Sequence, residues 1–370
     1  MGKHQKHAKL KLRDNDNFAP NEISIVGTNC SNISKLVLNI SEQLSNYKLA
    51  YFDASHAKNS EDLTVETYTF HHKGTAAISV NAEVNKFNQR VKFSQYDYVF
   101  INGNHYQGAK QILILDPEKE ASVLKRLEQL DNIQFVIKLK EDATYFDFLE
   151  AHNPQIKNLL CYHINEVEKI SKHIENLIQE KIAPIQGLVL AGGKSIRMGT
   201  DKGQLNFYGK SQRDVAIELL EKNNLKTYLS VRKEQDVSTA HKITDKFIGL
   251  GPFGAICSAF QENPDVAWLV IATDLPFLTN EVIQLLLKHR NPSKVATTIK
   301  GKNKQFPEPL ITIWEPKSYT LLLNYLAQGY SCPRKVLINS EVEIIEIEDD
   351  LIRNINTPEE FKTAYKEINE

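Results

Sequence analysis

The chain reads as α/β throughout, arranged in two domains. Short apolar runs rich in Ile, Val and Leu alternate with longer stretches whose apolar residues recur every three or four positions. That alternation of strand and helix patterns implies largely parallel sheets. The length of 370 residues suits two ordinary domains. Two stretches, beginning at Glu22 and at Ile185, each run from a strand into a Gly-containing loop and then a helix. Such loops sit at the carboxyl ends of strands, where open α/β sheets bind ligands.

Composition narrows the classes. Hydrophobic residues make up 41% and charged residues 25%, the balance of a soluble globular protein. A net charge of −1 gives no polyelectrolyte footprint, so nucleic acid is not an expected partner. Cys30, Cys161, Cys257 and Cys332 stand far apart with no C-x-x-C pair. That argues against a zinc site or disulfide framework and fits a reducing, cytoplasmic setting. No apolar run reaches the ~20 residues of a membrane span, and the basic amino terminus lacks a signal peptide's apolar core.

Residues 1–20 carry Lys3, Lys6, Lys9, Lys11, Arg13, His4 and His7 with little to bury. They read as an extended basic arm, either a solvated tail or a strap over an anionic ligand. Residues 21–150 form the first domain. Its strands are expected at Glu22–Val26, Leu49–Phe52, Val65–Phe70, Tyr96–Asn102, Gln111–Leu115 and Ile133–Leu139, with helices at Lys35–Leu44 and Glu118–Leu130. Residues 151–184 read as a linker whose helix, Ile164–Ile182, has one apolar stripe and is stopped by Pro184.

Residues 185–370 form the second domain. Strands are expected at Ile185–Leu190, Thr227–Val231, Trp268–Ala272, Val295–Ile299, Leu310–Trp314, Lys335–Ile338 and Val342–Ile347. Helices are expected at Gln212–Lys222, Phe253–Gln261, Asn280–His289, Lys317–Ala327 and Pro358–Ile368.

The first domain's loop, Gly27-Thr28-Asn29-Cys30-Ser31-Asn32-Ile33-Ser34, lies where a P-loop would lie. A P-loop needs a second Gly followed by Lys, and Asn32 and Ile33 stand there instead. Ile cannot neutralise β- and γ-phosphates. The domain resembles, in degenerate form, the GTP-binding adaptor of molybdopterin-guanine dinucleotide synthesis, with Asn102 where that family ends a strand in an acid. The resemblance implies a P-loop-like relic or regulatory domain without NTP hydrolysis. A domain used only for packing or dimerisation is an equal reading.

The second domain's loop carries the most specific pattern in the chain. Leu190-Ala191-Gly192-Gly193 ends a strand, and Lys194, Arg197 and Lys202 surround the turn with positive charge. Adjacent glycines let backbone N–H groups approach a phosphate closely. The spacing is neither G-x-x-x-x-G-K-[ST] nor G-x-G-x-x-G. It resembles the L-A-G-G-x-S-x-R-M-G-x-D-K signature of the molybdenum cofactor guanylyltransferases. Further segments follow in the same order: Asp245 before the Gly249-Gly251-Pro252 turn, Asp274 in T-D-L-P, Pro307–Trp314, and Asn354-Ile355-Asn356-Thr357-Pro358.

That resemblance implies a Rossmann-like, GT-A-like nucleotidyltransferase domain. It further implies transfer of GMP from GTP to molybdopterin with release of pyrophosphate, with Mg²⁺ as cofactor. Leu190, Ala191, Gly192, Gly193, Lys202, Asp245 and Asp274 would bind the nucleotide. Lys202, Arg197 and Asp274 would act in catalysis, and Asp274 would hold the metal. Asn356 would reach metal or phosphates, and Arg334, with Lys335, an anionic pterin phosphate. Molybdoenzyme apoproteins or cofactor-insertion proteins would be partners. From the residues alone, Asp245 also suits an Asx turn and Asp274 a helix cap. A cytidylyltransferase, a sugar-phosphate nucleotidyltransferase and a non-catalytic cofactor carrier are the other readings.

Overall fold

The computed structural model describes residues 10–54, 67–70, 76–79, 83–192, 202–235 and 241–370. The chain divides into two compact units, one spanning Asn15–Lys181 and the other Ile182–Glu370 with the residues before Asn15.

In the first unit the strands are β1 (Glu22–Val26), β2 (Leu49–Phe52), β3 (Thr67–Phe70), β4 (Ala76–Ser79), β5 (Tyr98–Asn102), β6 (Gln111–Leu115), β7 (Ile133–Lys138) and β8 (Cys161–His163). The helices are α1 (Cys30–Gln43), α2 (Lys86–Phe93), α3 (Glu120–Leu124), α4 (Asp147–His152) and α5 (Val167–Gln179). Six strands form a parallel sheet in the order β2-β5-β1-β6-β7-β8, and β3 pairs only with β4. Every residue of β1, β5 and β6 is buried, as expected of strands covered on both faces. Chain order reverses at β1, which has β5 on one side and β6 on the other. The loop after β1 therefore opens at a topological switch point.

Three expectations for this half are corrected. The stripe of the linker helix is core: Ile170, Ile174, Leu177 and Ile178 of α5 join Ile33, Leu36, Val37 and Ile40 of α1 in one apolar cluster. The Glu118–Leu130 helix is only the short α3 between two 3₁₀ turns, Pro117–Lys119 and Leu127–Gln129. The basic arm, where described, is tied down. Asp14 donates its N–H to Asp265 (3.2 Å), Arg13 donates to the Pro316 carbonyl (3.4 Å), and Lys11 reaches Asn263. Residues 17–19 donate their backbone N–H groups to the buried Glu22 carboxylate. Residues 1–9 lie outside the described residues.

In the second unit the strands are β9 (Ile185–Leu190), β10 (Thr227–Val231), β11 (Lys242–Thr244), β12 (Ala267–Ala272), β13 (Ala296–Gly301), β14 (Glu308–Trp314) and β15 (Val342–Ile347). The helices are α6 (Gln212–Glu221), α7 (Gly251–Glu262), α8 (Asn280–Lys288), α9 (Lys317–Ala327), α10 (Pro333–Ile338) and α11 (Pro358–Asn369). The sheet order is β11-β10-β9-β12-β14-β13-β15. β11, β10, β9 and β12 run parallel, and β14 runs antiparallel to both of its neighbours. The expected strand Lys335–Ile338 is instead α10. Pro333 starts that helix and turns Val336 and Leu337 inward, and three apolar residues in a row cannot by themselves distinguish the two structures.

Candidate active site

In chain order the parallel strands of the second unit give the pattern 3-2-1-4, with β9 as strand 1 and β12 beside it. This is the arrangement whose switch point, between strands 1 and 4, opens a crevice at the strands' carboxyl ends. The register aligns those ends. Leu190 lies opposite Ser230 of β10 and Ala272 of β12, and Val231 lies opposite Thr244 of β11. Gly192, Arg232 and Asp274 each stand two residues beyond an aligned position, and Asp245 one residue beyond. Residues far apart in sequence thus emerge on one edge of the sheet.

Asp245 is held tightly. Its N–H donates to the Val231 carbonyl (2.9 Å) and its Oδ1 accepts from Ser230 Oγ (2.8 Å). Burial pushes its carboxyl above the usual range, against the opposing pull of Ser230 and Arg232. Its Oδ2 lies 3.3 Å from where a Cβ on Gly192 would stand, and Arg232 Cγ lies 3.5 Å from that point. The loop after β9 and this carboxylate are therefore in close approach, and a side chain at 192 would crowd both. Gln235 clamps the loop from the other side, donating to the Ala191 carbonyl (2.9 Å) while accepting from the Arg232 N–H (2.7 Å). Behind Asp245, Ser258 of α7 accepts from the Lys246 N–H (2.8 Å). A Cβ at Gly254 would lie 2.3 Å from the Phe247 carbonyl oxygen, so only glycine lets α7 sit this close.

Asp274 lies two residues after β12, and its carbonyl accepts from the Ile355 N–H (2.9 Å). That bond brings the Asn354–Asn356 segment to the same edge. Because β14 is antiparallel, its amino end also arrives here: Ile271 pairs with Ile311, and continuing the register sets Glu308 across from Asp274. Burial raises the Glu308 carboxyl, and the charge of Asp274 adds to the rise while Arg334 and the Leu310 N–H oppose it. Arg334 Nη2 lies 3.4 Å from Glu308 Oε2. A cavity of ≈ 280 Å³ opens here, lined by Lys304, Phe306, Glu308, Arg334, Ile352 and Asn354 among others. Among the described residues no group of three or more His, Cys, Asp and Glu side chains could hold a metal ion alone. Glu308 lines this cavity and the Asp274 carboxylate acts on it electrostatically; such a carboxylate pair suits a divalent cation whose shell substrate phosphates and water complete.

With this geometry in place, the comparisons with known proteins are specific. A family model described as "MobA-like NTP transferase domain" matches residues 187–343. Most of the second unit is thus similar to a MobA-like NTP transferase domain. A Synechocystis sp. protein named "Molybdenum cofactor biosynthesis bifunctional protein" is 34% identical over 184 residues, covering 48% of this chain and 53% of the relative. The chain thus spans about half the length of that relative. A Flavobacterium johnsoniae protein named "Probable molybdenum cofactor guanylyltransferase" is 26% identical over 177 residues, covering 47% of this chain and 92% of the relative. The solved structure of molybdopterin-guanine dinucleotide biosynthesis protein A from Archaeoglobus fulgidus is 24% identical. It covers 49% of this chain and 97% of its own, with a TM-score of 0.43.

Within the second unit, Leu190, Ala191, Gly192, Asp245 and Asp274 gather at one sheet edge. Arg334, on α10, stands at the cavity beside Glu308. Asn356 donates its backbone N–H to Glu360 (2.6 Å) in the segment bound to Asp274. Gly193 and Arg197 lie outside the described residues. Lys202 opens a 3₁₀ turn, Lys202–Gln204, and of Lys202 itself only the backbone is described. Sequence reasoning missed Arg232, Gln235 and Glu308. The first two follow a strand end beside β9, so the switch-point rule could have found them. Glu308 depended on the antiparallel course of β14, which the sequence leaves open.

Proposed function

We propose that the second unit transfers GMP from GTP to molybdopterin, releasing pyrophosphate and forming the guanine dinucleotide cofactor. The observation that carries this reading is the meeting of the Ala191–Gly192 loop, Asp245 and Asp274 at one switch point, in a domain matched by a MobA-like NTP transferase model. The names of the relatives supply the substrates.

An oxygen of the acceptor's terminal phosphate attacks the α-phosphorus of GTP. The bond from that phosphorus to its bridging oxygen breaks, and pyrophosphate leaves. The acceptor is already anionic at neutral pH, so the protein's work is positioning and charge neutralisation. Leu190, Ala191, Gly192 and Gly193 hold the nucleotide, and the Gly-Gly backbone favours guanine. Asp245 accepts from ribose hydroxyls or the guanine edge. Lys202 and Arg197 neutralise charge on the α-phosphate and the departing pyrophosphate. Asp274, faced by Glu308, would hold Mg²⁺, which when bound supplies charge neutralisation on phosphate oxygens. Asn356 and Arg334 serve the acceptor side. The first unit is a P-loop-like relic or regulatory domain, and molybdoenzyme apoproteins or cofactor-insertion proteins would receive the product.

The test is turnover by the full chain with molybdopterin, Mg²⁺ and each NTP in turn, following pterin dinucleotide and pyrophosphate. Product with GTP alone is the expected result. Product with CTP alone overturns the base assignment and leaves the reaction type standing. Tight pterin binding without product overturns the enzyme reading in favour of a carrier. Lys202→Ala is expected to lower turnover about 10²–10³-fold, the size of losing one preorganised charge partner; near-parent activity would refute its role.

A further inference from the structure

The switch point of the first unit gathers a cluster that the transferase reading does not use. Cys30 is the first residue of α1, a helix of 14 residues whose N-cap is Asn29. Its Sγ lies 3.4 Å from His105 Nε2, and Asn104 Nδ2 approaches it at 3.8 Å. The same His105 nitrogen lies 3.8 Å from Asp53 Oδ1, and Asp53 accepts from Tyr51 Oη (2.8 Å). Asn102 is wholly buried, and its side-chain Nδ2 turns toward Tyr51, Asp53 and Cys30 without a close hydrogen bond to a protein acceptor. A donor buried in this way is expensive unless a ligand or an anionic partner satisfies it. Beyond Asn104 and His105 opens a cavity of ≈ 330 Å³, lined also by Lys125 and Arg126, and Arg126 donates to the Asn104 carbonyl (2.9 Å).

We propose that this crevice is a nucleophilic-thiol site, in which Cys30, paired with His105 and served by the Asn102 and Asn104 amides, undergoes thiol–disulfide exchange with an anionic small-molecule disulfide seated toward Lys125 and Arg126.

In the step, the proton leaves Cys30 Sγ for His105 Nε2, and the thiolate attacks one sulfur of the disulfide. One S–S bond breaks as another forms, and the departing thiolate takes the proton from His105. No net oxidation is needed, because the disulfide carries the oxidising equivalents. Burial works to raise the Cys30 thiol, but its polar neighbours Asn102, His105 and Asn104 outweigh it and hold the thiol below its usual range. The helix N-terminus acts in the same direction. Other charges near the loop do not reverse this. Asp53 faces His105, and Asp116 is engaged by the Thr28 hydroxyl at 2.8 Å. Loss of nucleophilicity at lower pKa is only partial, so a larger thiolate fraction at neutral pH still speeds exchange.

The chain carries its own controls, since Cys161 and Cys332 are exposed free thiols. The full protein would be treated with glutathione disulfide across pH 5–9 and the adduct at each cysteine quantified by peptide mass spectrometry. Cys30 is expected to react about tenfold faster than either control at pH 7, with its rate profile displaced to the acid side. It should also prefer glutathione disulfide over the cationic disulfide cystamine, and Lys125→Glu should erase that preference. His105→Gln should move the Cys30 profile toward alkaline pH while leaving Cys161 and Cys332 unchanged, which also reports that the fold persists. Equal rates and profiles at all three cysteines would overturn the proposal. A fast Cys30 indifferent to disulfide charge and to Lys125→Glu would overturn its substrate class.

Discussion

Asp16 and Glu22 place two carboxylates within a few residues of each other in the first unit, and their surroundings differ. Glu22 is wholly buried and accepts backbone N–H groups from Asn17, Phe18, Ala19 and Ala109. Asp16 Oδ2 accepts from the Glu22 N–H at 3.3 Å. Burial, followed by repulsion from Glu22, pushes the Asp16 carboxyl up to about 6, against attraction from Lys110 and Lys181. An acid whose folded pKa is raised binds more protons folded than unfolded between its two pKa values. Its contribution is full below about pH 4 and is lost as pH rises toward 6. Asp16→Asn is therefore expected to leave stability unchanged near pH 3.5 and to raise it at pH 7, measured as urea midpoints at both pH values. A loss at pH 7 would show that the carboxylate's hydrogen bond outweighs its repulsion. At this scale the sequence was most informative where a strand ended in Gly or Asp, as at Gly192, Asp245 and Asp274. It was silent on Cys30, His105 and Asp53, which are brought together only because β2, β5 and β1 lie side by side.

Elements carry the site by where they begin and stop. α11 starts with a complete capping box: Thr357 accepts from the Glu360 N–H (3.2 Å), and the Glu360 carboxylate accepts from the N–H groups of Thr357 (3.2 Å) and Asn356 (2.6 Å). The cap therefore fixes the Asn354–Asn356 segment that reaches Asp274. Thr357→Ala should cost about 1 kcal/mol in urea unfolding, the usual loss for an N-cap hydroxyl; a change within error would mean that packing of Phe361 alone sets this helix. The Thr357-Pro358 start was legible because cap and proline chemistry are local. α10 was not, because its apolar run is too short to show a period and its identity rests on packing of Val336 and Leu337 beside Trp314 and Leu322. The α5 stripe was legible as amphipathic, but the surface it covers was not, since only the fold places α1 against it.

At the level of the whole molecule, each unit has its own apolar interior. The clusters around Ile25 and Phe100, around Leu113 and Val136, and around Ile101 draw only on the first unit. Those around Leu269 and Ile313 and around Trp268 and Trp314 draw only on the second. Residues 15–181 expressed alone should fold, giving a cooperative urea transition with native-like far-UV circular dichroism; a non-cooperative transition would mean that this unit needs the rest of the chain. The division into two α/β units was legible from alternating strand and helix patterns, whereas sheet order was not, because neighbours in a sheet are set by long-range packing. Ile33 shows what that packing does to the loop it belongs to. It occupies the position where a phosphate-binding lysine would stand, yet it is fully buried among Leu36, Ile40 and Phe100. A lysine restored there would have to drive its ammonium into hydrocarbon before it could meet any phosphate. The side chains packed around Ile33 therefore close this position to a cation, and Ile33→Lys alone would not create a phosphate site.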